Sequence, residues 1–126
     1  MSMRSPLAHV RGLGSAKEGT HHFWWQRVTA IALVPLTIWF VAIVIAVIGA
    51  DYETARATIA HPVSAAMMLA FIAATFHHAQ SGLQVVIEDY IHIEWLKITL
   101  LLTVKFLAVI FGLLSALAVV RIAVGG

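Results

Sequence analysis

Residues 31–48 read IALVPLTIWFVAIVIAVI and contain no charged side chain. Similar stretches follow, so the chain has three apolar runs, at about residues 25–48, 63–87 and 97–124. A helix needs about 20 apolar residues to cross about 30 Å of hydrocarbon. Only helices and closed barrels satisfy their own backbone groups in lipid, and the alternating pattern of a barrel is absent. We therefore predict an all-α integral membrane protein with three transmembrane helices.

The composition supports this class and excludes several others. The 126 residues are 61% hydrophobic and 11% charged, whereas soluble domains carry about 25% charged residues. The chain has no cysteine, so it can form no disulfide and offers no thiolate ligand for an iron–sulfur cluster or a zinc site. The net charge of +2 comes mostly from the N-terminal segment. We interpret it as a signal of topology, with no nucleic-acid partner.

The distribution of basic residues predicts a cytoplasmic N-terminus. Basic residues on the N-terminal side, together with the loop between helices two and three, outnumber those on the opposite side. The first group is Arg4, Arg11, Lys17, Arg27 and Lys97, and the second is Arg56 and Arg121. We expect residues 1–22 to form an extended or loosely ordered cytoplasmic segment and residues 23–126 to form the membrane anchor. The first helix then begins, and the second ends, at the cytoplasmic face.

A pair of histidines lies late in the second apolar run. A histidine within a membrane helix is costly and usually functional. On a helix, His78 shares a face with Gly82 and Asp89, and Gly82 removes bulk one turn away. The neutral imidazole can be an axial ligand of haem iron, or it can hydrogen-bond to a neighbouring helix. His77 points about 100° away, and these residues alone do not separate the two histidines.

Other side chains that could bind a ligand lie at the same membrane face. The Tyr90 hydroxyl, beside Asp89, can hydrogen-bond a quinone carbonyl oxygen, or the ring can belong to the aromatic belt. Arg27 can pair with a haem propionate or snorkel to headgroups, and His21 lies near it. No second histidine occurs at the depth of His78 in another helix. A six-coordinate haem b would therefore need a ligand from a partner membrane subunit.

Two segments resemble the small hydrophobic membrane-anchor subunits of succinate dehydrogenase, respiratory complex II. The first is residues 19–30, GTHHFWWQRVTA, at the start of helix one. The second runs from His78 through Gly82 to Asp89 and Tyr90. The number of helices and the total length also fit, so the resemblance covers nearly the whole chain.

The resemblance implies roles for individual residues. In that family the histidine four residues before the glycine ligates haem b, which selects His78 over the histidine before it. The tyrosine of the Asp-Tyr pair binds ubiquinone, which implies a quinone-binding role for Tyr90, supported by Asp89. Arg27 and His21 correspond to residues near the haem propionates.

The resemblance also implies the biological setting. The chain would anchor succinate:ubiquinone oxidoreductase in the bacterial inner membrane, beside its flavoprotein, iron–sulfur and cytochrome b subunits. It would help pass electrons from succinate oxidation to ubiquinone, without catalysing the oxidation itself. The alternatives are the anchor of a related fumarate reductase, or a haem-free transporter or assembly protein with Lys105 on a substrate pathway. Transporters often contain repeats, which we do not find here.

Overall fold

The computed structural model describes residues 6–7 and 16–125, with side chains from residue 20 onward in the longer part. Its helices are α1 (Ala16–Val47), α2 (Tyr52–Ala60), α3 (Pro62–Tyr90) and α4 (Glu94–Ala123). Three of them, α1 over Thr20–Val47, α3 and α4, are long and apolar enough to cross a membrane. This architecture confirms the predicted fold class. Arg4, Arg11 and the rest of residues 1–5 and 8–15 lie outside the described residues.

The long helices extend beyond the apolar runs that predicted them. Helix α1 begins at Ala16, so the expectation of extended or loosely ordered chain is wrong for residues 16–22. Gly19 lies inside this helix. The helix tolerates it because one glycine costs only about 1 kcal/mol of helix stability relative to alanine. Helix α3 ends at Tyr90 and α4 begins at Glu94, each three residues beyond the predicted limit. Hydropathy marks the hydrocarbon core, whereas the helical hydrogen bonds continue into the polar interface.

The short helix α2 was not predicted. Helix α1 ends before Gly49, whose φ of +79° is a conformation that glycine adopts without strain. The Asp51 carboxylate then accepts a hydrogen bond from the backbone N–H of Thr54 at 3.3 Å and caps α2. Hydrogen bonding to Thr54 lowers the pKa of Asp51 below its usual value. Helix α2 has no hydropathy signal in the sequence, because its nine residues lack an apolar run.

Helix α3 lies between α1 and α4 and contacts both. Against α1, the Phe71 ring stacks on Phe40 with centroids 4.7 Å apart and planes 13° apart. Against α4, the α3 side chain Phe76 packs on Gly112, where an added Cβ would lie 3.6 Å from the Phe76 ring. Lipid tails are as apolar as the helices, so such close packing, rather than the hydrophobic effect, holds membrane helices together.

Most large apolar side chains point away from these contacts. The buried hydrophobic residues in the described part are only Ala65, Ile87 and Val119, whereas Ile31 is 72% and Leu113 is 67% exposed. A surface of this kind would cause association in water. Helices that are apolar all round belong in lipid or against other membrane helices.

The order of the helices predicts that Glu53 and His92 lie on opposite sides of the membrane. The chain has no cysteine, so Glu53→Cys and His92→Cys each introduce one thiol at an exposed site. In sealed vesicles of one orientation, a membrane-impermeant maleimide should label one of the two subunits directly and the other only after detergent is added. If the N-terminus is cytoplasmic, as the basic residues predict, right-side-out vesicles expose Glu53→Cys. Labelling of both thiols in sealed vesicles would contradict the odd number of crossings between them.

Candidate functional site

The first turns of α1 lie beside the last turns of α3. Thr29 Oγ1 is 3.3 Å from His78 Nδ1, and the ring of Trp25 meets the edge of His77 with centroids 6.1 Å apart. In each pair an early residue of α1 contacts a late residue of α3, because the two helices are antiparallel. The topology therefore brings the two predicted halves of the site together at one level.

The contact between Thr29 and His78 determines which ring nitrogen of His78 is available. Thr29 Oγ1 lies 2.8 Å from the carbonyl oxygen of Trp25 and 3.1 Å from that of Gln26. A hydroxyl has one hydrogen, and carbonyl oxygens only accept, so this hydrogen points to the backbone. His78 Nδ1 then donates its hydrogen to a lone pair of Thr29. We therefore assign a hydrogen to Nδ1, which leaves Nε2 as the ring nitrogen that can act as a ligand.

The two neighbouring histidines have different surroundings. His78 is half-buried and contacts the buried Thr29, whereas His77 is exposed and packs against Trp25. The helical turn of about 100° between successive residues is the reason for this difference. A polar contact to another helix thus distinguishes His78 from His77, which the residues alone did not.

Trp25 organises the entry of α1. Its Nε1–H donates to His21 Nε2 at 2.9 Å, and the two rings meet edge-on with centroids 6.2 Å apart. Because Nε2 accepts this hydrogen bond, the His21 ring is neutral here and carries its hydrogen on Nδ1. His21 is exposed, so that N–H can donate to an acidic group outside this chain.

Arg27 lies on a different side of α1. It follows Trp25 by two residues, which places it about 200° around the helix and away from α3. Its Cζ is 5.1 Å from the centroid of the Phe23 ring. An exposed cation–π contact contributes about 0.5–1 kcal/mol, so the guanidinium is only weakly held. The chain itself does not turn Arg27 towards His78.

Asp89 and Tyr90 form the exposed end of α3. Tyr90 is the last residue of the helix and is 77% exposed. Immediately before them, Gln80 Nε2 donates to Gln84 Oε1 at 3.1 Å, and Gln84 Nε2 donates to Glu88 Oε1 at 3.0 Å. These hydrogen bonds were not predicted, although the spacing of four residues between the side chains was their signal.

A groove of about 660 Å³ lies along the boundary between α3 and α4, which are otherwise in contact. Its walls are largely apolar, and its polar lining comes from His22, His77, Gln80, Ser81, Gln84 and Lys105. His78, Asp89 and Tyr90 do not line it. This groove is therefore a different place from the contact between Thr29 and His78.

Two buried polar atoms near this contact lack partners within the described part of the chain. They are Gln26 Oε1, one turn before Thr29, and Thr75 Oγ1, one turn before His78. A buried polar group without a hydrogen bond costs about 1–3 kcal/mol. The polar atoms near Thr29 and His78 are therefore not all paired within the described residues.

Comparison with known proteins identifies the chain. Residues 1–119 match the family described as Succinate dehydrogenase/Fumarate reductase transmembrane subunit. The chain belongs to this family. The succinate dehydrogenase hydrophobic membrane anchor subunit of Paracoccus denitrificans is 35% identical over 115 residues, or 90% of this chain and 89% of the relative. That of Rickettsia bellii is 34% identical over 107 residues, or 85% and 86% of the two chains. No solved structure shows significant similarity.

The membrane-anchor family explains the general features of the structure. The chain is a multi-pass membrane subunit of the succinate dehydrogenase complex, which confirms the resemblance drawn from residues 19–30 and 78–90. Other subunits of that complex are its partners. The roles of the individual residues of this anchor subunit stay predictions.

Proposed function

We propose that this anchor subunit supplies His78 as one axial ligand of haem b, and Tyr90 and Asp89 as part of the ubiquinone site. The complex would act as a succinate:ubiquinone oxidoreductase in the bacterial inner membrane, with the N-terminus of this chain in the cytoplasm. The observation that carries this proposal is the contact between Thr29 and His78. It orients a half-buried membrane histidine with Nε2 as the ring nitrogen that can act as a ligand.

The residues around His78 fit a haem group. A neutral imidazole is a good axial ligand of haem iron. One turn away, a Cβ added to Gly82 would meet nothing within 4 Å, so this chain leaves space where a flat macrocycle can approach. When bound, haem b accepts and returns single electrons.

The site would be shared with the cytochrome b subunit. No second histidine occurs at the depth of His78 in another helix of this chain. His78 would therefore be this chain's one ligand to the haem iron, and a partner histidine would supply the second. This division also accounts for the apolar surface that the chain leaves exposed.

His21 and Arg27 would bind the haem propionates. His21 accepts the hydrogen bond from Trp25 at Nε2. Its Nδ1–H can therefore donate a hydrogen bond to a propionate. Arg27 is held only by the Phe23 ring, and its planar donors match a carboxylate better than a ring. Arg27 would offset the negative charge of a propionate, and His21 would donate a hydrogen bond to it.

Tyr90 and Asp89 would act on the quinone. The Tyr90 hydroxyl can donate a hydrogen bond to a quinone carbonyl oxygen, whose negative charge grows as the quinone is reduced. Asp89 would support this site from the adjacent position. Because the pair lies at the end of a spanning helix, it can reach both the lipid-soluble ring and water that supplies protons. The iron–sulfur and cytochrome b subunits would complete the site and deliver electrons from the flavoprotein.

Replacement of the two histidines should separate their roles. In the purified complex, His78→Ala should abolish or strongly weaken the b-type signal in a dithionite-reduced minus oxidised spectrum, because it removes the ligand atom. His77→Ala should preserve that signal and is the matched control. Loss of the signal with His77→Ala alone would contradict the assignment of His78.

Replacement of Tyr90 should affect the quinone and not succinate. Tyr90→Phe removes the hydroxyl alone, and a hydrogen bond to a charged group contributes about 1.5–3 kcal/mol. Quinone reduction should therefore fall by about 10- to 100-fold. Succinate oxidation measured with a soluble dye should be unchanged. Equal loss of both activities would contradict a role for Tyr90 at the quinone.

Filling the space at Gly82 should displace haem without disturbing the helices of this chain. Gly82→Leu adds bulk where a Cβ meets no atom within 4 Å, so the variant subunit should assemble with a lower haem content. Gly112→Leu is the contrast, because a Cβ there already touches Phe76 at 3.6 Å. It should reduce the yield of the assembled subunit instead. Normal haem content per subunit in Gly82→Leu would contradict the proposed approach of the macrocycle.

A further inference from the structure

We infer that Thr29 is the positioning residue that fixes the tautomer and ring rotation of His78 for iron binding. The inference rests on the proposed role of His78 as an axial ligand. It concerns a residue that makes no contact with iron itself, and its action would pass entirely through the His78 ring.

The surroundings of Thr29 leave its hydroxyl little freedom. Thr29 is 7% exposed and is one of two buried polar or charged residues in the described part of the chain. Its hydrogen is directed to the backbone of its own helix by carbonyl oxygens at 2.8 and 3.1 Å. The remaining lone pair therefore faces α3, where His78 Nδ1 lies 3.3 Å away. A rigid acceptor at this position favours the ring tautomer with hydrogen on Nδ1.

The backbone hydrogen bond alone does not account for this arrangement. Thr103 also donates to the carbonyl oxygen four residues earlier, at 2.7 Å, but Thr103 is exposed on α4. What distinguishes Thr29 is its burial and its contact with a histidine 49 residues away. Thr103 therefore provides a matched control with the same local hydrogen bond.

A hydrogen-bond acceptor at the ring nitrogen that does not bind the metal has two consequences for a metal-bound histidine. It holds the ring in one orientation, and it raises the basicity of the ligating nitrogen, which favours the oxidised metal. Loss of such a partner typically weakens metal binding by about 10- to 100-fold. At 3.3 Å the bond is longer than the usual 2.9–3.0 Å, so we expect an effect near the lower end of this range.

The test uses the complete purified complex with Thr29→Val, Thr29→Ser and Thr103→Val. Valine preserves the shape of threonine without the hydroxyl, whereas serine retains the hydroxyl. Two properties are measured: the rate at which haem transfers to added apomyoglobin, and the midpoint potential of the haem. Neither requires turnover of the enzyme.

Thr29→Val should lose haem about 10-fold faster than the wild type and raise the midpoint potential, because the ligand becomes less basic. Thr29→Ser and Thr103→Val should both resemble the wild type. An unchanged rate and potential in Thr29→Val would overturn the inference. If Thr29→Val does not assemble, Thr29→Ala is compared with Thr29→Ser, and equal haem retention and potential in these two would overturn it.

The His78→Ala complex, prepared beside these variants, distinguishes this inference from the proposed function. An undiminished haem signal in His78→Ala would contradict the ligand assignment and the role of Thr29 with it. If haem is lost in His78→Ala while the haem-transfer rate and midpoint potential are unchanged in Thr29→Val, the role of Thr29 alone is contradicted.

Discussion

Backbone N–H and C=O groups in a lipid bilayer must find their partners within the protein, and the rest of this structure depends on that constraint. It makes each crossing a continuous helix, so α1 and α3 run in opposite directions. The first turns of α1 and the last turns of α3 therefore lie on the same side. Thr29 and His78 meet for this reason, although 49 residues separate them in sequence.

The way in which the helices associate leaves room for partner subunits. The helices of this chain contact one another through few side chains, such as the stacked rings of Phe40 and Phe71 and the contact of Phe76 with Gly112. These contacts join α3 to each neighbour while most of the apolar surface stays open. Lipid or the helices of partner subunits can cover that surface. Such an open apolar surface fits an anchor subunit of a larger membrane complex.

The polar groups of the site divide into two kinds. Thr29 and His78 are held by contacts between α1 and α3, and Trp25 orients His21, so this chain determines their geometry. Arg27 and Tyr90 are exposed and weakly held, and their final positions depend on what packs against them. The deep part of the proposed site is thus preorganised here, whereas the surface part is completed by the assembly.

The sequence by itself determined the three membrane helices, since long apolar runs have no other solution in lipid, and residues 19–30 and 78–90 were sufficient to recognise the family. It did not predict α2 or the start of α1 at Ala16, because hydropathy does not report helices at the polar interface. The roles of Tyr90, Asp89, Arg27 and His21 stay predictions from the resemblance. Only the tertiary structure distinguished the surroundings of His78 from those of His77 and revealed Thr29. That contact depends on the rotation of two helices about their axes, and this rotation is set by packing rather than by any local pattern of residues.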